Sequence, residues 1–182
     1  ASASRREENI FFATTFDETA ELAIHLCDVP DDFSSQPDIS KFVPGQRYLR
    51  GLFSGGTLQY EALLILQDYL PLVHSYSPLD KKNKLEDSLV SKEHTVIDLG
   101  EDEFTVGRLH PMMDNDLRIR RLEKEAADPE VAVILLDVVL GFGAHRDPAS
   151  ELAPAIAAGI TTAKAAGRHL EVVAIVCGTD ED

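Results

Sequence analysis

Apolar residues recur along this chain in two rhythms. Short runs of consecutive aliphatic and β-branched residues alternate with longer stretches whose apolar positions return every three or four residues. Ile10 to Thr14 is the first such run and predicts a strand. A helix is expected to begin near Asp17, with Thr15 or Asp17 as its cap and Ala20, Ala23, Ile24 and Cys27 as its apolar stripe. Three prolines between Pro30 and Pro44 predict a connecting loop. Tyr48 to Ser54 then reads as a strand. Gly56 to Tyr69 reads as a helix with Leu58, Ala62, Ile65 and Tyr69 on one face and Leu63 and Leu66 broadening it. Pro71 stops it.

The second half repeats the alternation. "LVHSYS" predicts a short strand, and "PLDKKNKLEDSLVSKE" a charged, mobile loop with solvated lysines. His94 to Gly100 predicts a strand, and 101–117 a turn-rich segment. Asp116 to Ala127 predicts a helix with Leu117, Leu122 and Ala126 inward and its arginines and glutamates outward. "VAVILLDVVLGFG" is the most apolar run, as a central parallel strand buried on both faces requires. Asp147 and Pro148 form a cap and first-position pair for a helix carrying Leu152, Ala155, Ile156, Gly159, Ile160 and Ala163 on one face. Pro154 predicts a late start or a kink in it. "LEVVAIVCG" predicts the last strand. Strands and helices in this order imply an α/β fold, a parallel sheet with helices on both faces. The expected division is a strand–helix unit and its loop over 1–45, then the main domain over 46–182.

Composition narrows the function. The chain has 182 residues and a net charge of −15. Nucleic acid and anionic membrane surfaces demand a basic face, so neither is an expected partner. No apolar run approaches the roughly 20 residues that span a bilayer. The first residues lack initiating Met and the apolar core of a signal peptide, which fits a stretch cut from a longer chain. The two cysteines, Cys27 and Cys177, form no metal-ligand or redox motif and read as reduced thiols in a cytoplasmic protein. No metal site is expected. An anionic ligand has to be held by a local device, such as a helix start or a single arginine.

Three loops leave strand ends, where ligands bind in open α/β sheets. The first is Ser54-Gly55-Gly56-Thr57. Paired glycines permit positive φ and close approach. The amides of Gly56, Thr57 and Leu58 would be the free donors of a helix start, with the hydroxyls of Ser54 and Thr57 beside them. That makes a cradle for phosphate or carboxylate; the plain alternative is a tight turn with Ser54 as N-cap. The second loop, "GEDEFTVGRLHPMMD", offers Arg108 to grip an anion and His110 as general acid, general base or phosphoryl carrier. Asp114 stands beside them. The plain alternative is a loop held by arginine–carboxylate pairs. The third, "LGFGAHRDP", brings Gly143 and His145 to a strand end. Asp137, inside the apolar run, is either paired with a cation or placed at the strand's mouth.

The segments "RGLFSGGTLQYEA", "VIDLGEDEFTVGRLHPMMD", "AVILLDVVLGFGAHRDPASELA" and "VVAIVCGTDED" together resemble the carboxyl-terminal part of FdrA-type proteins, predicted acyl-CoA synthetases of the succinyl-CoA synthetase superfamily. The resemblance covers Tyr48 to Thr179. It implies a flavodoxin-like CoA-ligase module, acyl-phosphate chemistry, and CoA or a nucleotide as cofactor. Helix starts hold the phosphate in those ligases, so by resemblance Ser54, Gly55, Gly56 and Thr57 take that role. The phosphohistidine of the true ligases lies in a Gly-His-Ala-Gly loop, which this chain lacks. Some FdrA-type proteins are associated with oxamate and carbamoyl phosphate, so carbamoyl transfer is a further implication. The superfamily also implies assembly, as a homo-oligomer or with related subunits. The rival expectation is a non-catalytic assembly or regulatory module whose active site needs another half or partner.

Overall fold

The computed structural model describes residues 6–7, 10–11 and 39–178. The chain divides into two compact units, 1–38 and 39–182. In the first, β1 (Arg6–Glu7) pairs antiparallel with β2 (Ile10–Phe11). The helix expected near Asp17 and its Cys27 lie outside the described residues.

The second unit runs β3 (Tyr48–Phe53), α1 (Gly56–Leu66), β4 (Val73–His74), β5 (His94–Asp98), α2 (Asp102–Thr105), α3 (Asp116–Ala127), β6 (Val131–Val139), α4 (Pro148–Ala165) and β7 (Glu171–Cys177). The five strands form one sheet in the order β4-β5-β3-β6-β7, and every neighbouring pair is parallel. β3 lies at the centre, with Leu52 level with Ile97 on one side and Leu136 on the other. Successive side chains point to opposite faces. Leu52, Ile97, Ile134 and Leu136 therefore share one core with Leu122 and Ala126 of α3 and Leu152, Ala155 and Ala163 of α4. Phe53 and Val96 share the other with Ala62 and Leu63 of α1 and with Val73. Helices cover both faces, as expected of a flavodoxin-like α/β domain. Gly159 lets α3 and α4 meet, since a Cβ there would stand 3.0 Å from the Ala126 Cβ.

Five details depart from the expectation. α1 ends at Leu66, and Tyr69 is 80% exposed rather than part of the buried stripe. The strand at Val73–His74 is two residues long, because Ser75 instead bridges to Lys84 and exchanges backbone bonds with Asn83 and Leu85. That packs the charged 78–93 loop: Leu85 and Ser88 are buried, and Lys84 lies 4.9 Å over the Tyr76 ring. The charged face of α3 turns partly inward, with Arg118, Arg121 and Glu125 all buried in ion pairs. Finally, α4 starts at Pro148 despite Pro154, and Asp147 caps it by accepting the Ser150 N–H at 3.0 Å.

Candidate functional site

Strands β3, β5 and β6 end at one edge of the sheet, and the three loops leave from there. The first loop is built inward. Ser54 is 1% exposed, and both its N–H and its hydroxyl donate to the Asp137 carboxylate, the hydroxyl at 2.7 Å. Its oxygen is therefore committed to the sheet interior and does not join a cradle. Gly55 is the N-cap in extended backbone, φ −165°, with no side-chain cap bond. Gly55 and Gly56 are also absent from the positive-φ residues, so left-handed backbone is not what these glycines supply. Close approach is: a Cβ on Gly56 would stand 3.3 Å from Asp98 Oδ2, while Gly55 faces open space. The first bond of α1 runs from the Gln59 N–H to the Gly55 carbonyl. Among the described residues nothing accepts from the amides of Gly56, Thr57 or Leu58, the free donors that a helix start leaves. Thr57 is exposed and both glycines are half-buried.

The second loop brings His110 to the same place. The Met112 N–H donates to His110 Nδ1 at 3.3 Å, which turns Nε2 the other way. Nε2 points at Gly100, where a Cβ would lie 2.5 Å from it, 2.8 Å from the Ser54 carbonyl oxygen and 3.0 Å from Asp98 Oδ1. Gly100 is thus the gap through which the imidazole reaches the end of β3. Asp98, the last residue of β5, accepts the Gly100 N–H at 2.7 Å through Oδ1. Burial pushes its carboxyl up, the Gly100 bond and His110 oppose that, and Asp137 adds to it. Glu101 nearby is also raised, first by burial, with Ser77 opposing.

Beneath this mouth lies a buried ion pair. Arg118 Nη2 meets Asp137 Oδ1 at 2.8 Å and also donates to the backbone carbonyls of Asp137 and Leu52. Asp137 is therefore both cation-paired and placed at the strand's mouth. Burial lowers the Arg118 guanidinium, and Asp137 holds against that shift. From Arg118 the bonds continue outward. Nη1 donates to Asn115 Oδ1 at 3.3 Å, Asn115 Nδ2 to Glu151 at 2.9 Å, and Glu151 faces His145 Nε2 at 3.3 Å.

The remaining expected site residues are dispersed. His145 Nε2 faces Glu151, and its backbone N–H donates to the Met112 carbonyl at 2.7 Å, so it tethers the third loop to the second. Gly143 is exposed with φ +90° and makes a turn. Asp114 accepts the Asp116 N–H at 2.9 Å ahead of α3. Arg108 lines a separate cavity of about 390 Å³ with Leu109, Asp114, Leu117 and Arg120. His110 is not on that cavity's wall, so the two residues expected to act together face different spaces. Among the described residues no group of three His, Cys, Asp or Glu can hold a metal. Cys177 is half-buried and unpaired, its thiol pushed up by burial and then by Asp137. Asp98, Gly100 and Arg118 were not singled out by the sequence. The signal for Asp98 was an acid ending the apolar run "VID", the same signal that marks Asp137.

The sequence pattern of the CoA-ligase family matches residues 52–182. An uncharacterized protein of Escherichia coli (strain K12), YahF, is 40% identical to this chain over 185 residues. The match covers 97% of this chain and 36% of YahF, so the chain spans about a third of that relative's length.

Proposed function

The chain belongs to the CoA-ligase family, and we propose that it is the module of an acyl-CoA-synthetase-like, FdrA-type protein that holds a phosphate or acyl phosphate at the start of α1. One observation carries this reading: three unbonded amides, of Gly56, Thr57 and Leu58, open onto the mouth into which His110 Nε2 is turned. Convergent N–H donors at a helix N-terminus suit a tetrahedral oxyanion, and they need no reorganisation when charge develops there. His110 supplies a nitrogen that takes a proton, gives one, or accepts the transferred phosphoryl group. In the last case the Nε2 proton passes to solvent, the N–P bond forms as the P–O bond to the acyl oxygen breaks, and the carboxylate leaves. Carbamoyl transfer uses the same amides to steady the phosphate that leaves. Family membership implies CoA; the residues at the mouth fit one phosphate group, and none of these steps uses the CoA thiol.

The test is calorimetry with inorganic phosphate and with carbamoyl phosphate. In Gly56→Asp the new carboxylate faces Asp98 and the ligand together, so binding is expected to be lost and the melting temperature to fall, with the chain still folded. Unchanged affinity in that variant sinks the reading. A second reading has its own support. The chain covers 36% of YahF, and Arg108 faces away from the mouth, which suits a binding or assembly module completed by another segment or subunit. Turnover of an acyl or carbamoyl phosphate by this chain alone separates the two. Assembly with related subunits, in a cytoplasmic enzyme, belongs to the same proposal. Among the described residues no helix is long and apolar enough to cross a membrane.

A further inference from the structure

One loop serves two spaces. His110 turns from it to the mouth, while Arg108, Leu109, Pro111 and Asp114 line a separate cavity of about 390 Å³ with Leu117 and Arg120 of α3. That volume lies in the range of sites that take small metabolites. The charges on its wall are not all in use. Arg120 is committed to Asp116, with Nε 3.1 Å from Oδ1 and Nη2 2.9 Å from Oδ2. The Arg108 guanidinium makes no ion pair or hydrogen bond with any described residue. In a chain of net charge −15, that is an unspent cation. Asp114 is its counterpart. Its Oδ1 accepts the Asp116 N–H at 2.9 Å, and no described cation pairs with it. Arg108 and Asp114 therefore share a wall without neutralising each other. Leu109, 61% exposed, supplies apolar surface beside them, with Pro111 and Leu117. The first amide of α3 is already taken by Asp114, so the space does not depend on that helix start.

We infer that this cavity is a second ligand site, for an α-amino acid with an apolar side chain. The carboxylate meets the Arg108 fork, the ammonium donates to Asp114 Oδ2, and the side chain covers Leu109 and Leu117. Charge selects this class. A plain carboxylic acid satisfies Arg108 and faces Asp114 as a like charge, and an amine does the reverse. A zwitterion satisfies both and adds no net charge to an acidic chain. Binding here makes and breaks no covalent bond. It stands apart from the oxyanion reading of the mouth, because no residue of the α1 start lines this cavity.

The experiment is an NMR titration of the 182-residue chain with L-leucine, 4-methylpentanoate and 3-methylbutylamine, which share an apolar body and differ in charge. L-Leucine is expected to saturate with a Kd on the order of 1 mM and to shift the amides of Gly107, Leu109 and Leu117. Each singly charged analogue is expected to bind about fivefold more weakly. Arg108→Gln alters an exposed side chain that holds nothing, so the fold is kept. It is expected to weaken leucine about fivefold and leave the amine no weaker. Asp114→Asn keeps an oxygen for the Asp116 N–H. It is expected to weaken leucine by a similar factor and to bind 4-methylpentanoate more tightly than the unmodified chain does. That reversal separates a ligand contact from a merely structural role. Equal affinity of the unmodified chain for leucine and 4-methylpentanoate overturns the inference and leaves a plain anion site. Leucine binding that both substitutions leave unchanged, or no saturable leucine binding at all, overturns it too.

Discussion

Helix α3 carries a buried charge cluster towards each end, and the two are built differently. Towards its end, Arg50 of β3 pairs with Glu125 at 2.8 Å and Asp128 at 2.9 Å, and Arg121 pairs with Glu125 at 2.6 Å. Ser91 donates to Glu125, and Arg121 donates to the Ser88 carbonyl. Two cations meet two carboxylates, and the loop before β5 is stitched to the helix. Towards its start, one cation, Arg118, meets Asp137, and Asp98 is left over beside three free amides and His110. The charge-balanced cluster leaves one buried donor, Arg50 Nη1, unbonded, and its work is to fix the chain's path. An acid-rich cluster facing unbonded donors has capacity left for a ligand. Burial alone does not distinguish a tie from a site, since each cluster holds one unbonded buried guanidinium nitrogen; the charge balance and the free backbone amides do.

The largest effect that sharpens this contrast is on stability. Glu125→Ala strands Arg121 and leaves Arg50 only Asp128, and Arg118→Met strands Asp137. Each is expected to cost about 3–5 kcal/mol in urea unfolding, because removing one partner leaves a buried charge uncompensated. The contrast lies in binding. Folded Glu125→Ala should hold phosphate as the unmodified chain does, whereas Arg118→Met should weaken it by releasing the Asp137 that anchors Ser54. Equal binding in the two variants would remove the distinction. Next comes Gly100→Ala. Its Cβ would meet His110 Nε2 at 2.5 Å and the Ser54 carbonyl at 2.8 Å. Backbone and imidazole must both shift, at a cost of about 1–3 kcal/mol, and binding at the mouth should go with them. Gly143→Ala, strained by its φ of +90°, is expected to cost about 1 kcal/mol and to leave phosphate binding unchanged.

The smallest effect is on pH dependence. Asp98 and Glu101 are raised in the folded chain from 3.8 and 4.5. A raised carboxyl favours the folded state below its unfolded value, and that contribution is lost as pH rises through the folded value. Melting temperature is therefore expected to fall across that acidic window, and Asp98→Asn should flatten part of the decline. A melting curve whose slope is the same with and without Asp98 would show that the acid at the mouth carries no such strain.

The fold was legible where apolar period alone decides it. The runs at 48–54, 94–100 and 131–139 became strands, and the stripe of Leu152, Ala155, Gly159 and Ala163 became the packed face of α4. It was less legible where a polar residue is buried by a distant partner. Arg118, Arg121 and Glu125 look like an outward helix face, and besides the Arg121–Glu125 pair their partners lie on other elements or in the preceding loop. The site was half legible. The glycine turn and His110 were named, and His110 and the Ser54 carbonyl both border Gly100; Arg108 and His145 were named with them and face elsewhere. Ser54 was given to the ligand and belongs to Asp137.

By itself the sequence determined the alternation of strand and helix, that the apolar run at 131–139 is an interior strand although β3 takes the centre, and the presence of an open helix start after Gly55. These follow from local propensity and from a repeat set by backbone geometry, which neighbouring residues already contain. Only the tertiary structure decided which charges pair, which glycine serves as a gap, and which acid faces the free amides. Those depend on parallel register between strands dozens of residues apart, which sets Phe53 level with Asp98 and Leu52 level with Leu136.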